Sequence, residues 1–145
     1  MVYSELILGF LLGLFSTVIF HLYTLWSKKE RAEKMLKLEV YQIKKYLESI
    51  VSAQQHIRNN TFLNITPTFH LASEASELQY LKESIAMSIV KINSLLKQAE
   101  NFRLSASVID DKDKLKARLY SLNSQYVEYI CASEEEMKNL IIQIK

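Results

Sequence analysis

Apolar residues follow three successive patterns along this chain of 145 residues. The first is an unbroken apolar run from Leu6 to Trp26, about the ~20 residues that a helix needs to cross the hydrocarbon core of a bilayer. Basic residues follow the run directly, whereas only Glu5 and the terminal amine precede it. A cleaved signal peptide has its basic residues before the apolar core, so the run predicts an uncleaved single transmembrane helix within residues 1–27.

In the second pattern, apolar residues recur alternately every four and three positions, which is the spacing of a coiled-coil heptad. Neither glycine nor proline interrupts residues 27–58. We therefore expect the transmembrane helix to continue directly into a long helix over about residues 28–58. The apolar positions of this heptad stripe are Leu36, Val40, Ile43, Leu47, Ile50 and Ile57.

The third pattern consists of two more apolar stripes, which predict helices over about residues 73–103 and 110–144, after a loop over residues 59–72. We expect an all-α fold in which an N-terminal single transmembrane helix is continuous with a long cytoplasmic helix. Two antiparallel helices follow and complete a three-helix, coiled-coil-like bundle over residues 28–145. Similar helix lengths favour an up-down-up arrangement, with the second helix returning to the membrane and the third leading away from it.

The loop over residues 59–72 is unusually apolar and long for a plain connection between helices. It either folds over the end of the bundle and caps the core, or it forms a tip that docks a protein partner. The residues of such a tip would be Phe62, Leu63, Ile65 and Phe69.

Both glycines of the chain, Gly9 and Gly13, lie in the first apolar run. Because glycine destabilises a helix by roughly 1 kcal/mol per site, two glycines four positions apart indicate close packing against another transmembrane helix. At about 100° per residue, Ser16 lies between the glycines and Glu5 on the helix surface, and Thr17 lies at the edge of the same face. We call this predicted packing face, made of Gly9, Gly13, Ser16 and Thr17, the glycine arc.

Polar residues near the end of the run add two further candidates. His21 is a candidate intramembrane polar site, although a neutral or snorkelling histidine accounts for it at such a shallow depth. The residues Lys28, Lys29, Arg31 and Lys34 predict contact with the membrane surface. By the positive-inside rule they place the N-terminus outside and the bundle in the cytoplasm, at a plasma or inner membrane.

A second basic cluster lies at the start of the predicted third helix, where it alternates with aspartates. It predicts either a solvated face or, because the up-down-up arrangement brings this turn to the membrane, contact with anionic lipid headgroups. A net charge of +2 is too small to indicate a nucleic acid as a partner. The cluster consists of Lys112, Lys114, Lys116 and Arg118.

Signatures of catalysis are absent from the sequence. No glycine follows Gly13, so there is no glycine-rich phosphate loop, and the histidines and the single Cys131 have no spacing that suits zinc. One cysteine also excludes an internal disulfide. We expect no enzyme activity and no cofactor.

These patterns predict a non-enzymatic single-pass membrane protein whose cytoplasmic helical bundle self-associates, or recruits or senses a protein partner. The expected partners are the lipid bilayer and either a second copy of the chain or another transmembrane protein. Two alternatives stay open. One is an oligomeric channel or membrane-disrupting effector of the toxin or defence type, gated by its bundle; the other is a scaffold subunit of a larger membrane complex.

Overall fold

The computed structural model describes residues 2–59, 65–72, 75–108 and 116–144. Within these ranges the chain is helical and contains no strand, which confirms the expected all-α fold. The helices are α1 (Val2–Ser52), α2 (Gln54–Asn59), α3 (Ala75–Leu78), α4 (Glu83–Ser107) and α5 (Lys116–Ile144).

Helix α1 joins the apolar run and the heptad stripe in 51 residues without a break, as predicted. It ends before the expected position 58, at a turn around Ala53, whose N–H lies 3.2 Å from the Ser49 carbonyl oxygen and 3.1 Å from that of Ile50. The Ser49 and Ser52 hydroxyls donate to carbonyls three residues earlier. Such bonds compete with the helical backbone pattern, so residues 54–59 form the separate helix α2.

Helix α5 runs antiparallel to α1. We call residues 6–26 the apolar segment, the end of the bundle beside it the near end, and the opposite end, at α2, the far end. Ile144 of α5 lines a groove with Lys37 at the near end. Further along, the hydroxyls of Tyr126 in α5 and Tyr46 in α1 are 2.8 Å apart. The last residues of α5 therefore lie at the near end.

Helix α4 is antiparallel to α5 and therefore parallel to α1. The Gln143 side chain donates to the Ser88 hydroxyl at 3.4 Å, which places the start of α4 beside the end of α5. Toward the other end of α4, the ring of Phe102 stacks on Tyr129 at a centroid distance of 5.4 Å. The α4–α5 pair is thus a helical hairpin that starts and finishes at the near end.

Residues 65–72, which we call the strap, return the chain from the far end toward the near end without forming a helix. Pro67 and the β-branched residues beside it favour an extended backbone. Residues 65–69, if fully extended, span up to about 16–18 Å, whereas the same five residues in a helix would span about 7.5 Å. A turn follows, closed by the Ala72 N–H on the Phe69 carbonyl at 3.2 Å. The strap therefore performs the return that we expected from the second helix.

The predicted helix over residues 73–103 is thus wrong at its start. Helix α3 ends after one turn, with N–H to carbonyl bonds from Tyr80 to Glu77 and from Leu81 to Leu78. Lys82 is then extended, at φ −61° and ψ 140°, and α4 begins after it. Leu78 and Leu81 are half-buried against the core in this turn, so their spacing does not require a helix.

The up-down-up arrangement is corrected by these contacts. Helix α1 leads away from the apolar segment, the strap and α3 return, α4 leads away and α5 returns. The predicted start of the third helix at residue 110 lies outside the described residues. The core lies between α1, α4, α5 and the strap, and every position of the heptad stripe is buried in it.

Candidate functional site

Within the part of the chain that the structure describes, no other element covers the apolar segment. All of its side chains are exposed except that of Thr24, which is half-buried, and none of its most apolar stretch is buried. Phe20, for example, exposes 72% of its surface. The helix that contains this segment is long and apolar enough to cross a membrane. A core helix of a soluble domain would instead be covered by its neighbours.

The glycine arc lies open on this segment. A Cβ atom added at Gly9 or at Gly13 would meet no heavy atom within 4 Å. The Ser16 hydroxyl donates to the Leu12 carbonyl and the Thr17 hydroxyl to that of Gly13, each at 2.9 Å. These bonds satisfy both hydroxyl hydrogens within the helix, as an apolar surrounding requires. Packing of the arc against another helix stays a prediction.

The His21 side chain is exposed. It lies about 7.5 Å before Trp26 along the helix axis. Its intramembrane role also stays a prediction. The predicted membrane-surface residues Lys28, Lys29, Arg31 and Lys34 are all exposed beyond the apolar segment. Two of them already have partners. The Lys34 ammonium is 2.7 Å from the Glu30 carboxylate one turn earlier, and Lys28 lies 5.9 Å from the ring centroid of Tyr80.

Of the four candidate docking residues of the loop, the two that the structure describes, Ile65 and Phe69, do not share one exposed surface. Phe69 is 1% exposed and belongs to the hydrophobic core, so its prediction as a free partner residue is wrong. Leu71 is fully buried beside it. Ile65 is 76% exposed, and Phe62 and Leu63 lie outside the described residues. The apolar residues Phe69 and Leu71 thus pack into the core along the side of the bundle.

Three buried or part-buried acceptors hold the strap, and the sequence analysis missed them. The strap N–H groups of Thr66, Phe69 and Leu71 donate to side-chain oxygens at 3.1, 3.2 and 3.4 Å. We call the three acceptors the latch: Glu39 of α1 with Asn93 and Glu100 of α4. Because an extended segment leaves its backbone donors unpaired, buried acceptors of this kind are the expected compensation.

Charge reinforces the latch at Glu100. Arg103 donates to both of its carboxylate oxygens, from Nε at 2.8 Å and from Nη2 at 2.6 Å. This two-pronged bond from Arg103 lowers the pKa of the Glu100 carboxyl below its ordinary value of 4.5. The same bond raises the pKa of Arg103. The carboxylate therefore remains an acceptor for the strap over the whole neutral range.

A pair of tyrosines, Tyr46 and Tyr126, lies near the Thr66 end of the strap. Burial raises the pKa of the Tyr46 phenol, and burial together with the hydrogen bond that the Tyr126 hydroxyl donates to Tyr46 raises the pKa of Tyr126. Both phenols are thus neutral at physiological pH, and their bond is a structural link between α1 and α5. Cys131 is half-buried and free, and burial raises the pKa of its thiol.

The basic residues of the chain are arranged differently from the prediction. Lys116 and Arg118 lie at the far end, where Lys116 lines a groove with Arg58 and Tyr120, so the predicted proximity of this cluster to the membrane is wrong. Lys112 and Lys114 lie outside the described residues. The near end instead gains Lys82, which lines a cleft of about 170 Å³ with Lys29 and Lys37.

Across the described ranges, no three histidine, cysteine, aspartate or glutamate residues form a group that could hold a metal ion. What the arrangement offers chemically is therefore surface: an uncovered apolar helix, a latched strap and a basic cleft. Comparison of the chain with protein-family models, with curated proteins and with solved structures finds no match.

Proposed function

We propose that this chain is a non-enzymatic, single-pass membrane protein whose bundle is held at the membrane and self-associates through α1. The observation that carries the proposal is the apolar segment: residues 6–26 are uncovered, yet they are continuous with the helix that forms one side of the core. Exposure of about twenty apolar residues to water is unfavourable, and a helix of this length fits the hydrocarbon core of a bilayer.

The phase of α1 supports pairing with a second copy. At about 100° per residue with Gly9 as zero, the core positions Leu36 and Ile43 fall near 180° and 160°. The bundle therefore lies on the side of α1 opposite to the glycine arc. A partner helix on the arc would leave the bilayer on the side of α1 that faces away from its buried stripe.

Two large apolar side chains continue the outward face beyond the membrane. Leu38 and Tyr41 fall near +20° and −40° on the same wheel, and they are 65% and 67% exposed. Three basic residues, Arg31, Lys34 and Lys45, share this face near +40°, −20° and 0°, and the charge of Lys34 is partly compensated by Glu30. We propose that two α1 helices pair in parallel along this face, with the glycines in contact inside the membrane and Leu38 in contact outside it.

The basic residues after the segment support an N-outside, C-inside orientation at a plasma or inner membrane. The bundle would then lie in the cytoplasm, where it would recruit or sense a protein partner. The strap supports this second role. Its backbone is held by hydrogen bonds to three side-chain acceptors and not by the regular bonds of a helix, so a partner could compete for it.

Disulfide crosslinking in membranes tests the pairing. In a Cys131→Ser background, single cysteines are placed at Ser16, at Leu38 and, as a matched control on the opposite side of the segment, at Val18. We expect crosslinked dimers for Ser16→Cys and Leu38→Cys but not for Val18→Cys. Equal crosslinking at Val18 would show random collision and contradict the proposed face.

The mass of the detergent-solubilised particle separates pairing from the alternative role as a scaffold subunit, in which a foreign transmembrane helix would cover the arc and co-purify. The channel or effector alternative needs several protomers around a lumen lined by the arc. It has less support, since the Ser16 and Thr17 hydroxyls bond within their own helix. A membrane-potential dye tests it: depolarisation on expression would favour the channel over the pairing proposed here.

A further inference from the structure

We propose that the near-end cleft binds the phosphate of an anionic lipid headgroup. The cleft is formed by four parts of the chain: α1, the turn before α4, the start of α4 and the end of α5. The inference rests on the membrane insertion in the proposed function, but not on pairing through the glycine arc. Its lining residues are Lys29, Glu33, Leu36, Lys37, Leu81, Lys82, Ile85, Gln143 and Ile144.

The charge of the cleft fits a phosphate. It contains three lysines and one carboxylate, that of Glu33, so it has an excess of two positive charges. Among the described residues, neither Lys29 nor Lys37 nor Lys82 forms an ion pair, although Glu33 lines the same cleft. Lys29 and Lys37 lie about 12 Å apart along α1, on either side of Glu33, so a bound anion would be attracted from more than one side of the cleft.

The depth of the cleft fits a lipid. Lys29 lies three residues after Trp26, or about 4.5 Å beyond the apolar segment along α1. The headgroup layer is roughly 5–8 Å thick on each side of the hydrocarbon core. Lys29 therefore lies at headgroup level. Lys37 lies about 16 Å beyond Trp26, so it closes the cleft on the side away from the membrane.

The walls of the cleft suit the rest of a phospholipid headgroup. Between the lysines lie the side chains of Leu81, Ile85 and Ile144. These apolar walls exclude water from one side of the site and would strengthen each lysine–phosphate contact, because a charge pair interacts more strongly at a lower effective dielectric constant. Gln143 adds an amide at the rim.

Amine acetylation of the full-length protein in nanodiscs tests the proposal. An uncharged acetylating reagent is applied in phosphatidylcholine alone and in phosphatidylcholine with phosphatidylglycerol, and the rate at each lysine is measured by mass spectrometry. We expect phosphatidylglycerol to slow the reaction of Lys82 and Lys29 several-fold. Lys97, an exposed lysine further along α4, should be unchanged.

A second control separates the cleft from the membrane surface in general. Lys34 lies between Lys29 and Lys37 along α1 but does not line the cleft. A diffuse negative surface potential would therefore slow the acetylation of Lys34 as much as that of Lys82. Equal slowing of Lys34 and Lys82 would overturn the cleft site. No slowing of Lys82 would overturn the proposal as well.

A third arm separates a lipid from a soluble phosphate ester. Glycerol phosphate, which carries the same phosphate without acyl chains, is added to phosphatidylcholine nanodiscs. Protection of Lys82 there would assign the cleft to a soluble ligand and overturn the lipid as its source. Lipid retention checks the result: Lys82→Gln should lose tightly held phosphatidylglycerol in native mass spectrometry, whereas Lys97→Gln should keep it.

Failure of this proposal and of the proposed function are distinguishable. If alkaline extraction removes the protein from membranes, both fail together. If the protein is integral but Lys82 shows no protection, only the headgroup site fails. Crosslinking at Ser16 and Leu38 involves none of the cleft residues and is read separately.

Discussion

The two halves of α1 belong to one continuous helix but have opposite relations to the rest of the molecule. Leu12, in the apolar segment, is 61% exposed, whereas Leu47, in the bundle, is fully buried. The residue type and the backbone are the same. What differs is the polar residues between the leucines: in the bundle they confine the apolar side chains to one stripe, and in the apolar segment there are almost none.

The apolar half of α1 must therefore obtain its stabilisation from outside the chain. Burial of a leucine side chain is worth about 1.5–3 kcal/mol, and the bundle half realises this in the core, where α5 packs against α1. The apolar segment realises none of it within one copy of the protein.

The largest effect should come from truncating the same residue type in both halves. Leu47→Ala should lower the free energy of unfolding of the bundle by about 2–5 kcal/mol, because it removes a buried side chain and leaves a cavity. Leu12→Ala should leave the bundle unchanged. Urea denaturation of the protein in detergent, followed by circular dichroism, measures both. Similar losses for the two variants would mean that the halves do not differ as described.

A smaller effect should come from the latch, which only the bundle half possesses. Glu100→Gln should lower the free energy of unfolding by about 1–3 kcal/mol at neutral pH, since Arg103 loses its charged acceptor in a part-buried position. The matched control is Glu48→Gln, whose pair with Lys44 is exposed and spans 3.6 Å, so its loss should be within about 1 kcal/mol.

The latch also predicts a pH dependence. Because the pKa of Glu100 is lowered on folding, the unfolded chain binds this proton more tightly than the folded one. The stabilisation by the carboxylate is therefore complete above the unfolded value of about 4.5 and is lost as the pH falls through the folded value. Urea midpoints over this acid range should converge for the unmodified protein and Glu100→Gln. A constant difference would contradict the role of the charge.

The next effect tests the contact between α1 and α5. Tyr46→Phe removes one hydroxyl of the Tyr46–Tyr126 bond and should cost about 0.5–1.5 kcal/mol of unfolding free energy. Tyr41→Phe, on the exposed outward face of α1, should cost almost nothing in a single copy. Thermal unfolding measures both, and a larger loss for Tyr41→Phe would point to a contact that one copy does not contain.

The smallest effect should arise in the apolar half. Gly13→Ala meets no neighbour in one copy, so by helix propensity alone it should stabilise α1 by up to about 1 kcal/mol. If two α1 helices pair through the glycine arc, the added methyl group separates them and lowers energy transfer between labelled protomers in liposomes. Val18→Ala, on the opposite side, is the control. Unchanged transfer for Gly13→Ala would contradict close glycine packing.

The long helix could be predicted from the sequence because two strong patterns meet without a breaker. Uniform apolarity up to Trp26 and heptad spacing from Leu36 are each typical of a helix, and no glycine or proline separates them. The structure confirms the continuity and the burial of the stripe. The uncovered state of the apolar segment also follows from its lack of a polar face.

The strap could not be predicted from the same kind of pattern. Leu78 and Leu81 continue the spacing of the stripe in α4, and half-burial satisfies them in a turn as well as in a helix. The signal that was present is polar: Asn93 stands beside Ile92 at a buried position, where its oxygen needs a donor, and a non-helical segment with free N–H groups can supply one. Without the strap, the position of Lys82 at the near end could not be foreseen either.

The central place of α5 has a consequence for the order in which the molecule is made. Helix α5 packs against α1, α2 and α4, and it follows all of them along the chain. While a ribosome extends the chain, the stripe from Leu36 to Ile57 therefore lacks its α5 partner until α5 has emerged. During that interval a nascent α1 exposes apolar surface on its inward side as well as on its outward side. Chaperones or neighbouring nascent copies would therefore meet more exposed apolar surface than the folded protein presents.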